Sequence, residues 1–397
     1  MTLKSNFSPY SRRTFLRASA IAAAVTGMRI VTEPMLAHAD RPVKTAGGVM
    51  IDANENPLGP SADARDAVSA IIPQGGRYLD GLTKDLINTF AKLEGLKPEY
   101  VKTYPGSSEP LHFSVITFTS DKKSYVTADP GYEAGMFAAA VSGARIVKVP
   151  LTKSYAHDVK AMLAAAPDAG VFYICSPNNP TGTLTNHSDI EYLVENKPKG
   201  SIVLVDEAYI HFSEGESAID LVKSDKDVIV LRTFSKLYGM AGLRCGFAIA
   251  RPNLLAKLEN YIGWNAMPVT ALVAAMASLK EPQLVKDRKR ANAQVRESVF
   301  HWLDQNGYSY IPSQSNCFML DTKRNAKDVI AAMAKQNVFI GRIWPVMPTY
   351  TRITIGTARE METFQTAYKK VISNVVTSRV ELPTRKVRCL DGLTLPA

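Results

Sequence analysis

Residues 232–244 have the sequence RTFSKLYGMAGLR, and they follow an apolar run at residues 228–231 that predicts a buried strand. Lys236 therefore comes just beyond the end of a core strand, beside Ser235 and before two glycines. Backbone N–H groups at such a turn, together with Arg244, can hold a phosphate, and a lysine amine can react with a carbonyl. A lysine next to a serine is more often an ordinary surface residue, so this interpretation needs support from other segments.

Two other apolar strands end in polar side chains. Residues 171–175 lead into the turn SPNNPTG, which contains Asn179, and residues 202–206 end in Asp206, with Tyr209 shortly after it. Ligands of open α/β sheets bind outside the carboxyl ends of the parallel strands. We therefore expect these side chains to share one site with the lysine.

Together these segments resemble the fold-type-I pyridoxal-phosphate aminotransferases, and within them the histidinol-phosphate aminotransferase branch. The resemblance lies in the order and spacing of Asn179, Asp206, Lys236 and Arg244, and it covers roughly residues 50–370. It implies an α/β fold, with a large cofactor-binding domain built on a mostly parallel seven-stranded sheet between helices and a smaller α+β domain. It also implies a transaminase that depends on pyridoxal 5′-phosphate.

The resemblance assigns chemical roles to four residues. Lys236 would hold the cofactor covalently and then move a proton during catalysis, and Asp206 would keep the pyridine nitrogen protonated. Tyr209 and Asn179 would hydrogen-bond the 3′ oxygen of the cofactor. Lys236, Asp206 and Tyr209 are therefore the predicted catalytic residues.

By resemblance to the family, a glycine-serine turn forms a phosphate cradle. Residues 106–109, GSSE, follow a short strand and open an apolar helix, whose amino terminus offers free N–H groups and the positive end of the helix dipole. By resemblance, the phosphate-binding residues are Gly106, Ser107, Ser108, Glu109, Ser235, Arg244 and Tyr78 of the partner subunit. The last assignment implies a homodimer with shared active sites.

The resemblance also indicates how the ring and the substrate are held. Tyr132 would stack on the pyridine ring. Arg352, at the start of a predicted strand, would pair with the substrate carboxylate in the bidentate geometry that favours arginine over lysine, and Arg342 would add a second anion contact. Asn56 lies in a turn-rich arm that lines the substrate pocket in the family. Some members of the family have an aromatic residue in this arm that contacts the substrate, whereas this chain has Asn56 and Leu58 there.

Strands mostly alternate with helices in the middle of the chain, a pattern that indicates a largely parallel sheet covered on both faces. The predicted strands are residues 145–149, 171–175, 202–206, 228–231 and 245–250. The predicted domains are an amino-terminal arm and part of the small domain (residues 40–72), the large domain (73–268), the carboxyl-terminal small domain (269–378) and a tail (379–397).

The amino terminus has the pattern of an export signal. Residues 11–17, SRRTFLR, match the twin-arginine motif, and a mild apolar stretch and an Ala-His-Ala site at residues 37–39 follow. We predict recognition of residues 1–39 by the Tat export machinery, cleavage after Ala39 and a periplasmic mature enzyme. A membrane anchor is the alternative, but the apolar run is too short to span a bilayer.

Composition limits the other classes of function. The 397-residue chain has a formal charge of +10, and its basic residues are dispersed, so we expect no nucleic-acid partner. Its four cysteines include no CxxC pair, so we expect buried free thiols and no metal site.

The sequence leaves the reaction and the substrates open. Decarboxylases and lyases share the fold, among them threonine-phosphate decarboxylase, and a binding protein that has lost catalysis is a further alternative. For a transaminase we expect an L-amino acid or amino-bearing metabolite as the amino donor and a 2-oxo acid, 2-oxoglutarate in particular, as the acceptor. Because histidine biosynthesis is cytoplasmic, an exported enzyme is expected to act on another metabolite.

Overall fold

A computed structural model describes residues 30–38, 47–261 and 267–374. The strands are β1 (Val49–Ile51), β2 (Val101–Tyr104), β3 (Ser124–Asp129), β4 (Ile146–Pro150), β5 (Ala169–Cys175), β6 (Ile202–Asp206), β7 (Val228–Thr233), β8 (Gly246–Ile249), β9 (Ser309–Ile311), β10 (Cys317–Asp321), β11 (Val338–Ile340) and β12 (Tyr350–Thr354). The helices are α1 (Glu33–His38), α2 (Ala62–Ile71), α3 (Gly81–Glu94), α4 (Ser108–Phe118), α5 (Ala134–Val141), α6 (Val159–Ala165), α7 (His187–Asn196), α8 (Ile219–Lys223), α9 (Pro252–Leu258), α10 (Val269–Lys280), α11 (Leu284–Gln305), α12 (Ala326–Ala334) and α13 (Ala358–Asn374). The five predicted strands are found within about two residues of their expected bounds.

A seven-stranded sheet forms the centre of the molecule, with the strand order β2-β8-β7-β6-β5-β3-β4. Neighbouring strands from β7 through β4 are parallel, whereas β8 runs antiparallel to both β7 and β2. Strand β2 therefore runs in the same direction as β7, and the turns after both strands lie at one edge of the sheet. The predicted α/β class and mostly parallel seven-stranded sheet are confirmed.

The central strands are buried along their whole length because both sheet faces are covered. Strands β5, β6 and β7 are continuous runs of mainly apolar residues. Their side chains alternate between two core clusters, as the period of two in a strand requires: Val203 and Val205 enter one cluster, Ile202 and Leu204 the other.

A second region is built on two small sheets. Strands β12, β10 and β9 form an antiparallel sheet, and β1 pairs with β11 in parallel. A separate apolar core joins this region, with Ile51 beside residues of β10, β11 and the two long helices α11 and α13. The pairing of β1 places the arm that follows it, residues 52–60, between this region and the large sheet.

Helix α10 begins directly after the predicted domain boundary at residue 268. It packs against α2, and Ala64, Ala271 and Leu272 lie in a core cluster of the large sheet. Both helices thus stabilise the large sheet, and the division of the chain into domains stays a prediction.

Several predicted features lie outside the described residues. These are the twin-arginine motif, the cleavage position Ala39 and the whole tail, which includes Cys389. Cys175, Cys245 and Cys317 are buried free thiols, as predicted. Within the described ranges, no helix has the length and apolar character needed to cross a bilayer.

Candidate active site

The polar residues at the strand ends meet in one cavity, here called the active-site cavity. Asp206 is the last residue of β6, and Lys236 comes three residues after β7. Nine predicted site residues line this cavity: Ser107, Ser108, Tyr132, Asn179, Asp206, Tyr209, Ser235, Lys236 and Arg244. The sheet brings them together because the strands that carry them point to the same edge.

Lys236 is a buried amine in this cavity. Its Nζ donates a 3.3 Å hydrogen bond to the carbonyl oxygen of Ala53 and lies 5.6 Å from the ring centre of Tyr209. Burial is the main reason that its pKa is lowered, and the positive charge of Arg352 lowers it further, whereas Glu33 opposes the shift. A lowered pKa increases the fraction of neutral amine, which is the form that attacks a carbonyl.

Asp206 is a buried carboxylate with two hydrogen-bond donors. The hydroxyl of Tyr173 donates to Oδ2 over 2.9 Å, and the backbone N–H of Ala208 donates to Oδ1 over 3.1 Å. Burial raises the pKa of Asp206 to about 6, although both hydrogen bonds and the charge of Lys236 act in the opposite direction. The carboxylate is therefore ionised above about pH 6 and can pair there with a protonated ring nitrogen.

Tyr209 is held by the arm that follows β1. Its hydroxyl accepts a 3.0 Å hydrogen bond from Nδ2 of Asn54. The backbone N–H of Asn54 in turn donates to Oγ1 of Thr354 over 2.9 Å, and its carbonyl oxygen accepts from Asn316. Asn54 thus connects the large sheet, the arm and the small sheets at one point beside the cavity.

A cationic turn closes another side of the cavity. The Arg244 guanidinium donates to Oγ of Ser235 over 3.2 Å and to the carbonyl oxygen of Pro105 over 3.0 Å. Gly106 has a φ of +88°, and a Cβ at this position would overlap the guanidinium. Ser107 and Ser108 lie at the amino terminus of α4. Guanidinium, hydroxyls and a helix amino terminus are together suited to a phosphate group.

Two arginines provide an anion site on the side of the small sheets. Arg352 is fully buried and donates to Oδ1 of Asn179 over 2.8 Å and to the carbonyl oxygen of Asp52 over 2.8 Å. Arg342 donates to a carboxylate oxygen of Glu133 over 2.8 Å. Both guanidiniums lie close to the ring of Trp344: that of Arg342 is 4.7 Å from the ring centre and that of Arg352 is 5.7 Å from it. This arrangement holds two positive charges in fixed positions beside the cavity.

Comparison with known proteins identifies the family. Residues 48–367 match the sequence profile of the family described as aminotransferase class I and II. The chain belongs to this family. It is 32% identical to the histidinol-phosphate aminotransferase of Moorella thermoacetica, over 82% of this chain and 86% of that protein.

Solved structures show the same fold. The histidinol-phosphate aminotransferase of Sinorhizobium meliloti, solved with pyridoxal-5′-phosphate, matches with a TM-score of 0.77 at 22% identity, covering 93% of this chain and 99% of that one. The L-threonine-O-3-phosphate decarboxylase of Porphyromonas gingivalis matches with a TM-score of 0.69 at 19% identity, covering 81% and 99%. The predicted activity is confirmed at the level of the family, which makes this chain a pyridoxal-phosphate-dependent aminotransferase.

The cavity of this aminotransferase fits the cofactor of its family. Pyridoxal phosphate carries an aldehyde, a ring nitrogen and a phosphate, and each has a chemically matched partner here. The amine of Lys236 suits the aldehyde, the carboxylate of Asp206 suits the ring nitrogen, and Arg244 with Ser235 suits the phosphate. The close approach of Gly106 to Arg244 leaves no room for a side chain in this cradle.

Six predicted residues lie outside the lining of the cavity. Gly106, Arg342 and Arg352 contact or flank it as described above, and the other three are Asn56, Glu109 and Tyr78. The side chain of Asn56 donates to the carbonyl oxygen of Leu237 over 2.8 Å and lines a neighbouring pocket together with Leu58. Glu109 is in the first turn of α4, where burial raises its pKa against the charge of Arg244. Tyr78 is 75% exposed, and its assigned role in the partner's site stays a prediction.

Sequence reasoning missed several residues of the site, among them Tyr173, Asn54 and Glu33. Tyr173 lies in the continuous apolar run of a buried strand, so it carried no local signal. Asn54 lies in the same turn-rich arm as Asn56, and that arm could have indicated it. Glu33 falls within the predicted export signal, yet the structure places it in the cavity.

Proposed function

We propose that this aminotransferase moves amino groups between carboxylate-bearing amines and 2-oxo acids, with glutamate and 2-oxoglutarate as one substrate pair. The observation that carries the proposal is the fixed pair of arginines, Arg342 and Arg352, beside the cavity of Lys236. Two buried guanidiniums favour a substrate with a negative group at this position. A carboxylate, which is planar, accepts two parallel N–H donors from one arginine.

We propose a metabolite other than histidinol phosphate as the second amino substrate, although relatives of about 30% identity bear the name of that enzyme. Two sequence features support this. The export pattern at residues 11–17 would remove the enzyme from the cytoplasm, and the arm has Asn56 and Leu58 where some family members place an aromatic residue. A histidine auxotroph without its own enzyme, supplied with this gene lacking residues 1–39, is expected not to grow without histidine. Normal growth would contradict the proposal.

The residues of this chain would divide the reaction among themselves. When bound, pyridoxal phosphate supplies an aldehyde that condenses with amines and a ring that accepts electrons from the substrate α-carbon. Lys236, as a neutral buried amine, would move a proton from the substrate α-carbon to the C4′ carbon of the cofactor. Asp206 keeps a proton on the ring nitrogen, and the hydroxyl of Tyr209 donates to the ring oxygen. Arg352 orients the substrate through its carboxylate.

Chemical trapping tests the position of the cofactor. Borohydride reduction of the loaded protein, followed by peptide mass spectrometry, is expected to show the cofactor mass on Lys236. Lys236→Ala is expected to keep the fold and lose turnover. An adduct on another lysine, or wild-type rates in the variant, would contradict the assignment.

Product analysis separates transamination from the decarboxylation of the threonine-phosphate decarboxylase-like alternative. Purified enzyme is incubated with a panel of L-amino acids and 2-oxoglutarate. Glutamate formation without carbon dioxide is expected. Carbon dioxide without glutamate would favour the decarboxylase. The panel would also identify the amino donors.

We propose a homodimer in which Tyr78 of the partner subunit reaches the phosphate of the cofactor. Tyr78 is exposed in the single chain, and this supports the proposal because a large aromatic side chain is usually at least partly covered, here by the partner subunit. Light scattering is expected to give twice the monomer mass. Tyr78→Phe is expected to weaken cofactor binding in a dimer of unchanged stability, and a monomeric, fully active protein would contradict the proposal.

We propose export of the folded enzyme by the Tat machinery, with cleavage after Ala39 and a periplasmic location. The support is the SRRTFLR pattern and the Ala-His-Ala site. Amino-terminal sequencing of protein from the periplasmic fraction is expected to begin at Asp40. A mature chain that begins at residue 1 or 2 would contradict this proposal.

A further inference from the structure

Residues 30–38, here called the docked segment, lie against the active-site cavity. Thr32 and Glu33 line the same cavity as Lys236. The carboxylate of Glu33 accepts a 2.6 Å hydrogen bond from Nη2 of Arg352, and its other oxygen lies 3.4 Å from Nδ2 of Asn179. Arg342 lies 3.5 Å from the same carboxylate. A side-chain carboxylate of the chain itself is therefore held by the donors that the site offers to a substrate.

The electrostatics of this contact are those of a bound ligand. Glu33 is buried, and burial alone would raise its pKa, but the charges of Arg342 and Arg352 outweigh that effect and lower the pKa to about 2. Glu33 is thus ionised at any physiological pH. Arg352 has one guanidinium, and its Nη2 is already directed to Glu33. A substrate carboxylate cannot occupy the same place at the same time.

Within the described residues, the docked segment also makes a backbone hydrogen bond and apolar contacts. The backbone N–H of Val31 donates to Nε2 of His112 over 3.0 Å, and the side chain of Val31 is buried. Ile30 and Leu36 are only partly buried against the core. Helix α1 has six residues, which is too short to be stable by itself. Among the described residues, the carboxylate contact is the charged part of the segment's attachment, and it acts together with the apolar packing and the covalent connection to the enzyme.

We propose that the docked segment is a tethered competitor of the substrate, which holds Glu33 in the carboxylate site until cleavage after Ala39 releases it. The inference rests on the proposed function, in which Arg352 binds the substrate carboxylate. A tether gives the segment an effective concentration on the order of millimolar, and cleavage replaces this by dilution into the surroundings. The uncleaved enzyme has a reduced apparent affinity for substrate, because only the fraction with an open site can bind.

The test uses the full-length, uncleaved protein and a ligand that cannot react. Succinate carries two carboxylates but neither an amino nor an oxo group, so its binding reports on the carboxylate site alone. Titration calorimetry is expected to show that Glu33→Gln and Glu33→Ala each lower the Kd for succinate about tenfold relative to wild type. Glu362→Gln, which changes an exposed glutamate of α13, is the matched control and is expected to leave the Kd unchanged.

An unchanged or higher Kd in both Glu33 variants would overturn the inference, since Glu33 would then be part of the permanent wall of the site. The succinate result can be distinguished from a failure of the proposed transamination. If no donor supports turnover in any variant but the succinate result is obtained, transamination of these substrates is wrong and the competition remains.

A peptide supplied in trans provides a second measurement. A synthetic peptide of residues 30–38 is added to the full-length Glu33→Gln enzyme during turnover. It is expected to raise KM for the amino donor without changing kcat, and the same peptide with glutamine in place of Glu33 is expected to be at least tenfold weaker. Equal inhibition by both peptides would overturn the role of the carboxylate.

Discussion

The hydroxyl of Tyr173 lies 2.9 Å from Oδ2 of Asp206 and donates a hydrogen bond to it. Both side chains are buried, and they belong to the adjacent strands β5 and β6. Because the donor stabilises the ionised carboxylate, Tyr173→Phe is expected to raise the pKa of Asp206 above its value of about 6. A hydrogen bond to a charged group contributes about 1.5 kcal/mol, which corresponds to roughly one pH unit.

The pH dependence of turnover measures this change. The acidic limb of the profile is expected to move to higher pH by about one unit in Tyr173→Phe. Tyr104→Phe is the control, because it removes a buried hydroxyl that has no hydrogen-bond partner within the described ranges. An unchanged acidic limb in Tyr173→Phe would show that the hydrogen bond does not control the ionisation of Asp206.

The buried charge of Asp206 is expected to destabilise the cofactor-free protein above about pH 6. Its pKa is raised from 3.8 in the unfolded chain to about 6 in the folded protein, so the folded state holds the proton more tightly. As pH rises between these values, the unfolded chain loses its proton first, and the free energy of unfolding falls. Asp206→Asn removes the charge and is expected to stabilise the cofactor-free protein at pH 8, by up to about 3 kcal/mol.

Urea unfolding of cofactor-free protein at pH 8 and pH 5 measures this effect. The advantage of Asp206→Asn over wild type is expected to be smaller at pH 5. Asp321→Asn is a control of opposite sign: burial raises the pKa of Asp321, but Lys323 outweighs this and lowers it. That variant is expected to be less stable than wild type at pH 8. A destabilised Asp206→Asn at pH 8 would contradict the argument.

The sequence predicted the part of the site that depends on local patterns. Apolar runs indicate the buried strands. Polar residues at or shortly after the ends of these runs, such as Asp206 and Lys236, lie in one cavity because parallel strands end at one edge of the sheet. Residues 106–109 joined the same edge although β2 is separated from the parallel strands by antiparallel β8. The turn after β2 could be placed only by resemblance, because the pattern of one short strand does not show its direction.

The unpredicted contacts join residues that are far apart in sequence. Glu33 and Arg352 are separated by 319 positions, and Asn54 and Thr354 by 300. No periodicity or spacing indicates such a pair. Tyr173 was missed for a different reason, since a tyrosine in a fully buried strand has the pattern of a core residue and its hydrogen bond depends on the register with β6.

Gly106→Ala is expected to weaken cofactor binding. The backbone of Gly106 has a positive φ, and a Cβ there would push the Arg244 guanidinium away from Ser235. Displacing a charged donor from a phosphate site is expected to raise the Kd for pyridoxal phosphate at least about tenfold, which equals 1.4 kcal/mol. Fluorescence titration of the cofactor-free protein measures this Kd.

Gly242→Ala is the matched control for this substitution. Gly242 lies in the same segment as Arg244, but a Cβ there would have open space around it. Its Kd for the cofactor is expected to stay within about twofold of wild type, since a surface change of this size is nearly neutral. Equal weakening by both alanines would point to general disturbance of the turn and would contradict the specific contact between Gly106 and Arg244.

Arg352→Lys is expected to weaken carboxylate binding more than Arg342→Lys. The guanidinium of Arg352 donates to Asn179 and to the carbonyl oxygen of Asp52 while it also holds a carboxylate, and a lysine ammonium cannot reach all three acceptors from one position. Arg342 is already paired with Glu133, so its contact with a ligand is the weaker one.

In the wild-type background each variant would weaken the binding of Glu33 as well as the binding of succinate, and the two effects on the Kd for succinate would partly cancel. Succinate titration in the Glu33→Gln background avoids this. There Arg352→Lys is expected to raise the Kd by at least about tenfold, the size of one lost charge-assisted hydrogen bond, and Arg342→Lys by less. The opposite order would transfer the main carboxylate contact to Arg342.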